Sequence, residues 1–371
     1  MGIMVGLPSP SGSEKDLQLN FGKNMTVQVE MRAPHLPAEW HMQSGIQLTW
    51  PHAGTDWAYM LQEVQECFVK IAKEIAEREL LLIVTPEPEE VKKQIDTVVN
   101  MDNVRFLKCA TNDTWARDHG AITMIDTGNP SLLDFTFNGW GLKFAAELDN
   151  QITKQAVEAR ALKGQYIDCL DFVLEGGSIE SDGMGTLLTT SECLLSPQRN
   201  GKLNQVEIDE YLKSTFHLQK VLWLDHGYLA GDDTDSHIDT LARFCSTDTI
   251  AYVKCTDEAD EHYEALLAME EQLKTFRTLA GEPYRLLALP MTDKIEEDGE
   301  RLPATYANFL ILNEAVLYPT YNQPENDRKA GEVLQQAFPK HQIIGIDCRA
   351  LIKQHGSLHC VTMQYPMGVL K

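Results

Sequence analysis

Apolar residues recur along this chain in two distinct patterns. In some segments they return every three or four residues, which is the spacing of one face of an α-helix. Between these segments lie short runs rich in β-branched and aromatic residues, which are typical of strands. The spacing predicts helices over residues 56–79, 87–99, 151–162, 204–216, 261–279 and 325–338. The short runs predict strands over residues 104–109, 121–125, 132–137, 186–190, 221–224, 250–255, 286–289, 309–312, 315–318 and 342–346.

The order of these elements repeats. After one opening helix, the order helix, strand, strand, strand recurs about five times at a period of roughly 50–70 residues. A last strand over residues 356–364 would be completed by residues 45–50, so that the chain closes on itself. Repeats of this kind bury their apolar faces against their neighbours around a common axis. We therefore predict a closed α/β domain with pseudo-fivefold symmetry.

This single domain is expected to span residues 31–371, after a loose leader over residues 1–30 that is rich in glycine, serine and proline. The alternative is a doubly wound α/β sheet. Nucleotide-binding sheets of that class carry a glycine-rich turn between a strand and a helix. The glycines at 176–177 and at 183 and 185 do not match that fingerprint, so the closed domain is favoured.

The amino-acid composition limits the classes of molecule that this protein is expected to bind. The chain has 371 residues, of which 43% are hydrophobic, and a formal net charge of −23. An acidic surface repels nucleic acid and anionic membranes and mildly favours cationic small molecules, although many acidic proteins are simply soluble. No apolar stretch of the sequence is long enough to cross a bilayer. Eight cysteines without a C-x-x-C pair, and no secretion signal, predict a reducing compartment, the cytoplasm.

Residues with reactive side chains fall at the same place in successive repeats, just before or inside the second strand. Nothing in the local sequence would otherwise bring them together. If the repeats are related by rotation, these positions converge on one central cleft. They are Arg117 and Asp118, Glu175, His237 and Asp239, Asn308, and Cys360.

His237 and Asp239 follow a run of acids at 232–235, and in a strand they would face the same way. Three interpretations fit: a solvated acidic turn with a core histidine, a metal site, or a base beside a substrate anchor. Zinc or iron would require more imidazole or thiolate at ligand spacing. Calcium would require a glycine within the acidic loop and a terminal glutamate. We therefore expect no metal here.

The other positions also have two interpretations each. Asp118 belongs either to a surface turn or to a cation site in which it faces inward, with Trp115 as a wall. Glu175 ends an apolar run before two glycines, either in an ordinary turn or as a carboxylate that orients a histidine. Cys360 is either buried packing or a nucleophile, and in a strand His359 would point away from it.

Together, in this order and at these intervals, the segments resemble the agmatine deiminase family, a branch of the guanidino-group-modifying hydrolases and transferases. The resemblance covers nearly the whole chain from about Met31 onward. The family is built as a five-bladed α/β propeller, the pentein fold, which agrees with the repeat. The segments that carry the resemblance lie at 36–40 (LPAEW), 49–52 (TWPH), 112–118 (NDTWARD), 174–183 (LEGGSIESDG), 237–239 (HID), 306–309 (YANF) and 359–362 (HCVT).

The resemblance implies a reaction and a role for each residue. Cys360 would be the nucleophile, His237 the general acid and base, and Glu175 the group that orients His237. Asp118 and Asp239 would bind the guanidinium nitrogens. The thiolate would attack the guanidinium carbon, ammonia would leave with a proton from the histidine, and water would hydrolyse the covalent thiouronium. No cofactor or metal is required.

The implied substrate is agmatine, and the products are N-carbamoylputrescine and ammonia, in putrescine (polyamine) biosynthesis. Asp233 matches the family position that can bind the amine of agmatine, and Trp115 and Asn308 are further expected substrate-binding residues. Free arginine would need cationic residues for its carboxylate, and the segments around Cys360 and His237 offer few. The alternatives are a deiminase for peptidyl-arginine or another guanidine, and a non-catalytic propeller that binds a polyamine or Ca²⁺. Nucleic acid and membrane are not expected as partners, and homo-oligomerisation stays open.

Overall fold

Strands and short helices alternate along the computed structural model, which describes residues 34–126 and 129–371. The predicted leader over residues 1–30 lies outside the described residues. The described residues belong to a unit that spans residues 32–371 and has a mixed α/β fold. Within this described part, no helix has the length and apolar character that a membrane span requires.

Five small sheets contain most of the strands that the structure describes. The first sheet has four strands in the spatial order Thr362–Pro366, Gln43–Thr49, Leu80–Thr85 and Val104–Lys108. The second, third and fourth sheets are Ile122–Met124, Ser131–Thr136 and Gln165–Val173; Ile179–Ser181, Thr186–Thr190 and Lys220–Leu224; and Ala242–Ser246, Thr249–Lys254 and Arg285–Pro290. The fifth is Leu310–Ile311, Ala315–Thr320 and Gln342–Asp347, and a separate hairpin pairs Glu296–Glu297 with Glu300–Arg301.

Each of the five sheets is built by the same rule. Its first two strands pair antiparallel, and every later strand pairs parallel to the one before it. Parallel neighbours need a crossover connection, which is usually a helix. The crossover helices are Leu61–Ala76 and Pro88–Ile95 in the first sheet, and Ile152–Glu158, Gln205–Phe216, Tyr263–Thr275 and Pro324–Ala337 in the others.

The remaining helices are single turns. The α-helical turns are Ala116–His119, Gly139–Leu142, Ser191–Leu194 and Ile238–Leu241. The 3-10 turns are Ala58–Met60, Met101–Asn103, Asp149–Gln151, Gly176–Ser178 and Leu351–Gln354.

The chain closes on itself as the sequence predicts. The last strand, Thr362–Pro366, pairs antiparallel with Gln43–Thr49, and Thr362 lies opposite Leu48. The last strand begins later than predicted, because residues 358–361 form a turn. The repeated order of helix and three strands is confirmed, whereas the arrangement of the five sheets as propeller blades stays a prediction.

The helix Gln205–Phe216 shows how local sequence fixes an element. The Asn204 side chain accepts hydrogen bonds from the first turn, and the Glu207 carboxylate accepts one from the Asn204 backbone N–H, which is a capping box. Ile208, Leu212 and Phe216 recur every four residues and are fully buried. Burial of each of these side chains stabilises the fold by about 1.5–3 kcal/mol. The helix therefore begins and ends where the spacing predicts.

Candidate active site

In the structure the reactive residues lie just before the first strand of a sheet. This strand is the second strand of a predicted repeat, so the position agrees with the prediction. The helical turns Ala116–His119, Gly176–Ser178 and Ile238–Leu241 precede the second, third and fourth sheets. Asn308 precedes the fifth sheet, and Cys360 precedes the last strand of the chain, which belongs to the first sheet. Asp118, Glu175, His237, Asp239, Asn308 and Cys360 come together as predicted. Arg117 does not join them, because its guanidinium group donates to the Gln364 side chain and the His359 carbonyl.

Cys360 lies in the turn before the last strand and is 5% exposed. The Asn308 side-chain oxygen accepts hydrogen bonds from the backbone N–H groups of His359 at 2.8 Å and Cys360 at 3.3 Å. The Cys360 thiol lies 3.4 Å from the same oxygen and 4.0 Å from Asp239 Oδ2. Burial, Asp239 and Asp118 raise the pKa of the Cys360 thiol well above its usual range. In the free protein the thiol is therefore protonated.

His237 is not in a strand, contrary to the expectation that it and Asp239 face the same way along one. It directly precedes the turn Ile238–Leu241, and the turn itself brings both side chains to the same site. His237 Nδ1 lies 3.8 Å from Asp118 Oδ1. Among the described residues its Nε2 has no hydrogen-bond partner, although it is buried. Burial lowers the pKa of His237 to about 3, so its imidazole is neutral and can accept a proton.

Asp118 faces inward, as expected for a cation site. Its Oδ1 accepts from the Gly177 N–H at 2.9 Å, and its Oδ2 accepts from the Trp140 indole at 3.0 Å. Burial and the nearby carboxylates of Asp239 and Glu175 raise the pKa of Asp118 well above its usual range. No lysine or arginine in the described part of the chain forms a direct ion pair with Asp118. A bound cation would therefore offset the repulsion among these carboxylates.

Glu175 is fully buried, and its main partner is an arginine that sequence reasoning did not identify. Both of its oxygens accept from Arg199 Nε, at 2.8 and 3.0 Å. Arg199 also donates to Asp235 Oδ2 at 2.6 Å and to the Thr234 carbonyl at 2.9 Å. Glu175 lies within 4.8 Å of His237, but no hydrogen bond joins the two in the part of the chain described. Its role in orienting His237 stays a prediction.

Replacing Arg199 by methionine is expected to destabilise the protein by about 3–5 kcal/mol, because it leaves Glu175 buried without a counter-charge. The measurement is the free energy of unfolding from urea titration. Arg349→Met is the control, since Arg349 pairs with Asp347 at 2.7 Å on the surface and is half-exposed. Equal free energies of unfolding for the two variants would show that the buried Arg199–Glu175 pair contributes no more to stability than the exposed Arg349–Asp347 pair.

A cavity of about 440 Å³ opens above Cys360. Trp115 lines it, as predicted, and packs between Trp57 and Trp140 at ring distances of 5.8 and 5.9 Å. Asp233 also lines it, with its Oδ2 3.9 Å from His355 Nδ1. The sequence therefore placed both residues at the cavity.

Asn308 lies beneath the turn that carries Cys360. It is fully buried, and its side chain supports the turn that carries Cys360 rather than the cavity. Its amide nitrogen reaches the Asp239 carbonyl at 3.4 Å. Asn308 therefore holds the turn that carries Cys360, and its contact with the substrate stays a prediction.

Asp113 and Asp56 also line the cavity, although the sequence did not single them out. Asp113 accepts from the Trp115 indole at 2.9 Å, and its other oxygen has no partner among the described residues. Burial and Asp56, which lies beside it in the cavity wall, raise the pKa of Asp113 to about 7. Trp140 also lines the cavity and was not identified from the sequence, although its position between two glycines could have marked it.

Among the residues that the structure describes, two buried clusters have donor sets that suit a metal ion in principle. They are Glu175 with Cys193 and His237, and Glu39 with Glu180 and His359. Arg199 pairs with a carboxylate of the first cluster, and Arg243 pairs with both carboxylates of the second. A cation would therefore have to displace a guanidinium group that already compensates these charges.

Residues 35–366 match the model of the Porphyromonas-type peptidyl-arginine deiminase family. The agmatine deiminase of Ectopseudomonas mendocina is 31% identical over 358 residues, which are 90% of this chain and 95% of that protein.

Solved structures are similar over the same range. The C. jejuni agmatine deiminase has a TM-score of 0.82 and 39% identity, with 94% of this chain and all of that chain covered. A Porphyromonas gingivalis protein named "Putative Arginine Deiminase" has a TM-score of 0.86 and 50% identity, with coverage of 91% and 100%.

Proposed function

The chain belongs to the family of Porphyromonas-type peptidyl-arginine deiminases and agmatine deiminases, and from this premise we propose that it hydrolyses agmatine to N-carbamoylputrescine and ammonia. The reaction breaks a C–N bond of the guanidino group. We assign it to putrescine biosynthesis in the cytoplasm.

The observation that supports agmatine is the charge of the cavity. Four acidic side chains line it, and no lysine or arginine is among the described residues that do so. Agmatine carries a cation at each end, whereas free arginine carries a carboxylate that such a wall would repel. The four acids are Asp56, Asp113, Asp118 and Asp233.

The guanidinium group fits between Asp118 and Asp239. Asp239 Oδ1 is buried without a hydrogen-bond partner among the described residues, so it is free to accept from a ligand. Gly177 borders both acids, since a methyl group on it would lie 2.8 Å from Asp118 Oδ1 and 3.3 Å from Asp239 Oδ2. A planar group with five N–H donors can satisfy both carboxylates at once.

Binding of the cation prepares the nucleophile. The same two carboxylates that raise the pKa of the Cys360 thiol are the ones that the guanidinium neutralises. The thiol then ionises more readily, and its proton passes to the neutral imidazole of His237. The reactive thiolate therefore forms only when a substrate is in place.

The remaining steps return every group to its starting state. The Cys360 sulfur bonds to the guanidinium carbon, and the His237 imidazolium protonates the departing nitrogen, which leaves as ammonia. Water then gives a proton to His237 as its oxygen attacks the thiouronium carbon. The C–S bond breaks as the hydroxyl proton of the intermediate passes to solvent, the His237 imidazolium returns a proton to the sulfur, and the urea product leaves.

Ammonia release from agmatine, free arginine and a peptide with a terminal arginine, each with EDTA present, tests the proposal. We expect release from agmatine alone and no effect of EDTA. Arginine is the second candidate substrate, favoured by the Porphyromonas gingivalis protein, and release from arginine or the peptide instead would replace agmatine. Binding of agmatine without release would favour the non-catalytic alternative.

Asp233→Ala is expected to raise KM for agmatine about 5- to 10-fold, because the half-exposed carboxylate would no longer pair with the ammonium end. KM for a straight-chain alkylguanidine without the amine should not change. Steady-state kinetics on both substrates give the comparison. Asp96→Ala, an exposed acid at the end of the helix Pro88–Ile95, is the control. Equal effects on both substrates would refute the assignment of Asp233 to the amine.

A further inference from the structure

His359, the residue before the nucleophile, has a carboxylate at each of its ring nitrogens. Its Nδ1 lies 2.7 Å from Asp239 Oδ2, and its Nε2 lies 2.8 Å from Glu39 Oε2. All three side chains are buried. Two carboxylates on one buried imidazole form a continuous chain, Glu39–His359–Asp239, that ends on an acid of the active site.

The direction of the hydrogen bond to Asp239 does not depend on the charge of His359. Asp239 has its pKa held below the usual value, against burial, by His359 and His237, so its oxygens only accept. A neutral imidazole would donate from Nδ1 to Asp239 and accept at Nε2 from Arg243, which lies 3.1 Å away. A protonated imidazole would donate to both carboxylates. In either state Nδ1 donates to Asp239 Oδ2.

This hydrogen bond decides which oxygen of Asp239 meets the substrate. With Oδ2 engaged by His359, Oδ1 is the oxygen left without a partner among the described residues. The backbone of His359 is fixed as well, because its N–H donates to Asn308 at 2.8 Å. The His359–Cys360 pair therefore sets the sulfur and the Asp239 carboxylate at 4.0 Å from each other.

Glu39 holds the far side of the imidazole. Its Oε2 accepts from Arg243 Nη2 at 2.5 Å, and its Oε1 accepts from the Ile311 N–H at 2.7 Å. Although burial acts in the opposite direction, Arg243 and His359 keep the pKa of Glu39 well below its usual range. Glu39 is thus a fixed acceptor that prevents the imidazole ring from turning away from Asp239.

We propose that His359 is a positioning residue, which with Glu39 orients the Asp239 carboxylate so that Oδ1 faces the guanidinium group of the substrate. The proposal rests on the proposed function, because it needs a guanidinium ligand between Asp118 and Asp239. His359 itself does not touch the substrate.

Two amide variants separate the two ends of the imidazole. In His359→Asn the amide nitrogen takes the place of Nδ1 and can still donate to Asp239. In His359→Gln the longer side chain places its amide near Nε2, toward Glu39, and the donor to Asp239 is lost. The two variants remove the same ring and differ mainly in this one hydrogen bond. His226→Gln, at an exposed histidine, is the control.

We expect His359→Gln to lower kcat/KM for agmatine about 30-fold or more, mainly through KM, as loss of a charge-assisted hydrogen bond implies. His359→Asn should stay within about 5-fold of the unmodified protein. Thermal unfolding is recorded in parallel. A structural role would lower the unfolding temperature of both variants without separating their KM values.

The outcomes are distinct. Equal kinetics of the Asn and Gln variants, or failure of both to fold, would overturn the positioning role while agmatine turnover by the unmodified protein still supports the proposed function. Absence of agmatine turnover and binding in the unmodified protein would instead overturn the proposed function, and the positioning role with it.

Discussion

Cys360→Ala and Cys360→Ser are expected to lose ammonia release from agmatine, by about 10⁴-fold or more, while the protein keeps its fold. The sulfur is the atom that bonds to the guanidinium carbon, and no other described cysteine lines the cavity. The hydrogen-bond contacts of the thiol to Asn308 and Asp239 are long, at 3.4 and 4.0 Å, so its removal disturbs little. Steady-state ammonia assays and thermal unfolding measure the two effects.

The control for this experiment is Cys169→Ala. Cys169 is buried to a similar degree, 7% exposed against 5% for Cys360, but it belongs to a strand of the second sheet. Its removal should leave turnover unchanged. Turnover by Cys360→Ala, or its loss in Cys169→Ala, would remove Cys360 from the proposed mechanism.

The fold was predictable wherever the apolar residues of a helix or strand follow one clear period. The crossover helices each bury a single face, and their predicted centres agree with the structure. The strand Leu80–Thr85 was missed because five of its six residues are buried and it follows a helix directly, so no alternation marks it. The strand Gln165–Val173 was missed for the opposite reason, since only two of its nine residues are buried and two are acidic.

The site was predictable to the extent that the repeat places its residues in equivalent turns. His237, Asp118 and Cys360 could be grouped from sequence order alone, because each precedes the same strand of its sheet. Arg199 and His359 could not be assigned in this way. Their functions depend on partners 24 and 120 residues away, and only the packed fold shows that these carboxylates are within hydrogen-bond distance.

The charge of the site also follows from the packed fold and not from the order of residues. Asp118 and Asp239 are acids that a folded protein does not normally bury close together, because each disfavours the ionised form of the other. Arg199 and Arg243 neutralise the acids around them, Glu175 and Glu39. Asp118 is left without such a partner in the described residues, and the missing charge is the one that a guanidinium substrate carries.

Gly177→Ala is expected to reduce kcat/KM for agmatine by about 10²-fold or more, because its methyl group would press on three side chains of the proposed machinery. The added carbon would lie 2.6 Å from His237 Nδ1, 2.8 Å from Asp118 Oδ1 and 3.3 Å from Asp239 Oδ2. These contacts are too short, so at least one of the three side chains must move. All three belong to the proposed machinery, and a shift of about 1 Å is enough to impair it.

Gly176→Ala provides the comparison that makes this prediction specific. A methyl group on Gly176 would meet the Arg117 backbone oxygen at 2.2 Å, and the backbone cannot yield as a side chain can. We therefore expect Gly176→Ala to lower the unfolding temperature strongly, and Gly177→Ala to lower activity with a much smaller change in that temperature. Thermal unfolding and steady-state kinetics of both variants give the test. A fully active Gly177→Ala protein would mean that the exact positions of His237, Asp118 and Asp239 do not matter for the reaction, which would contradict the roles proposed for them.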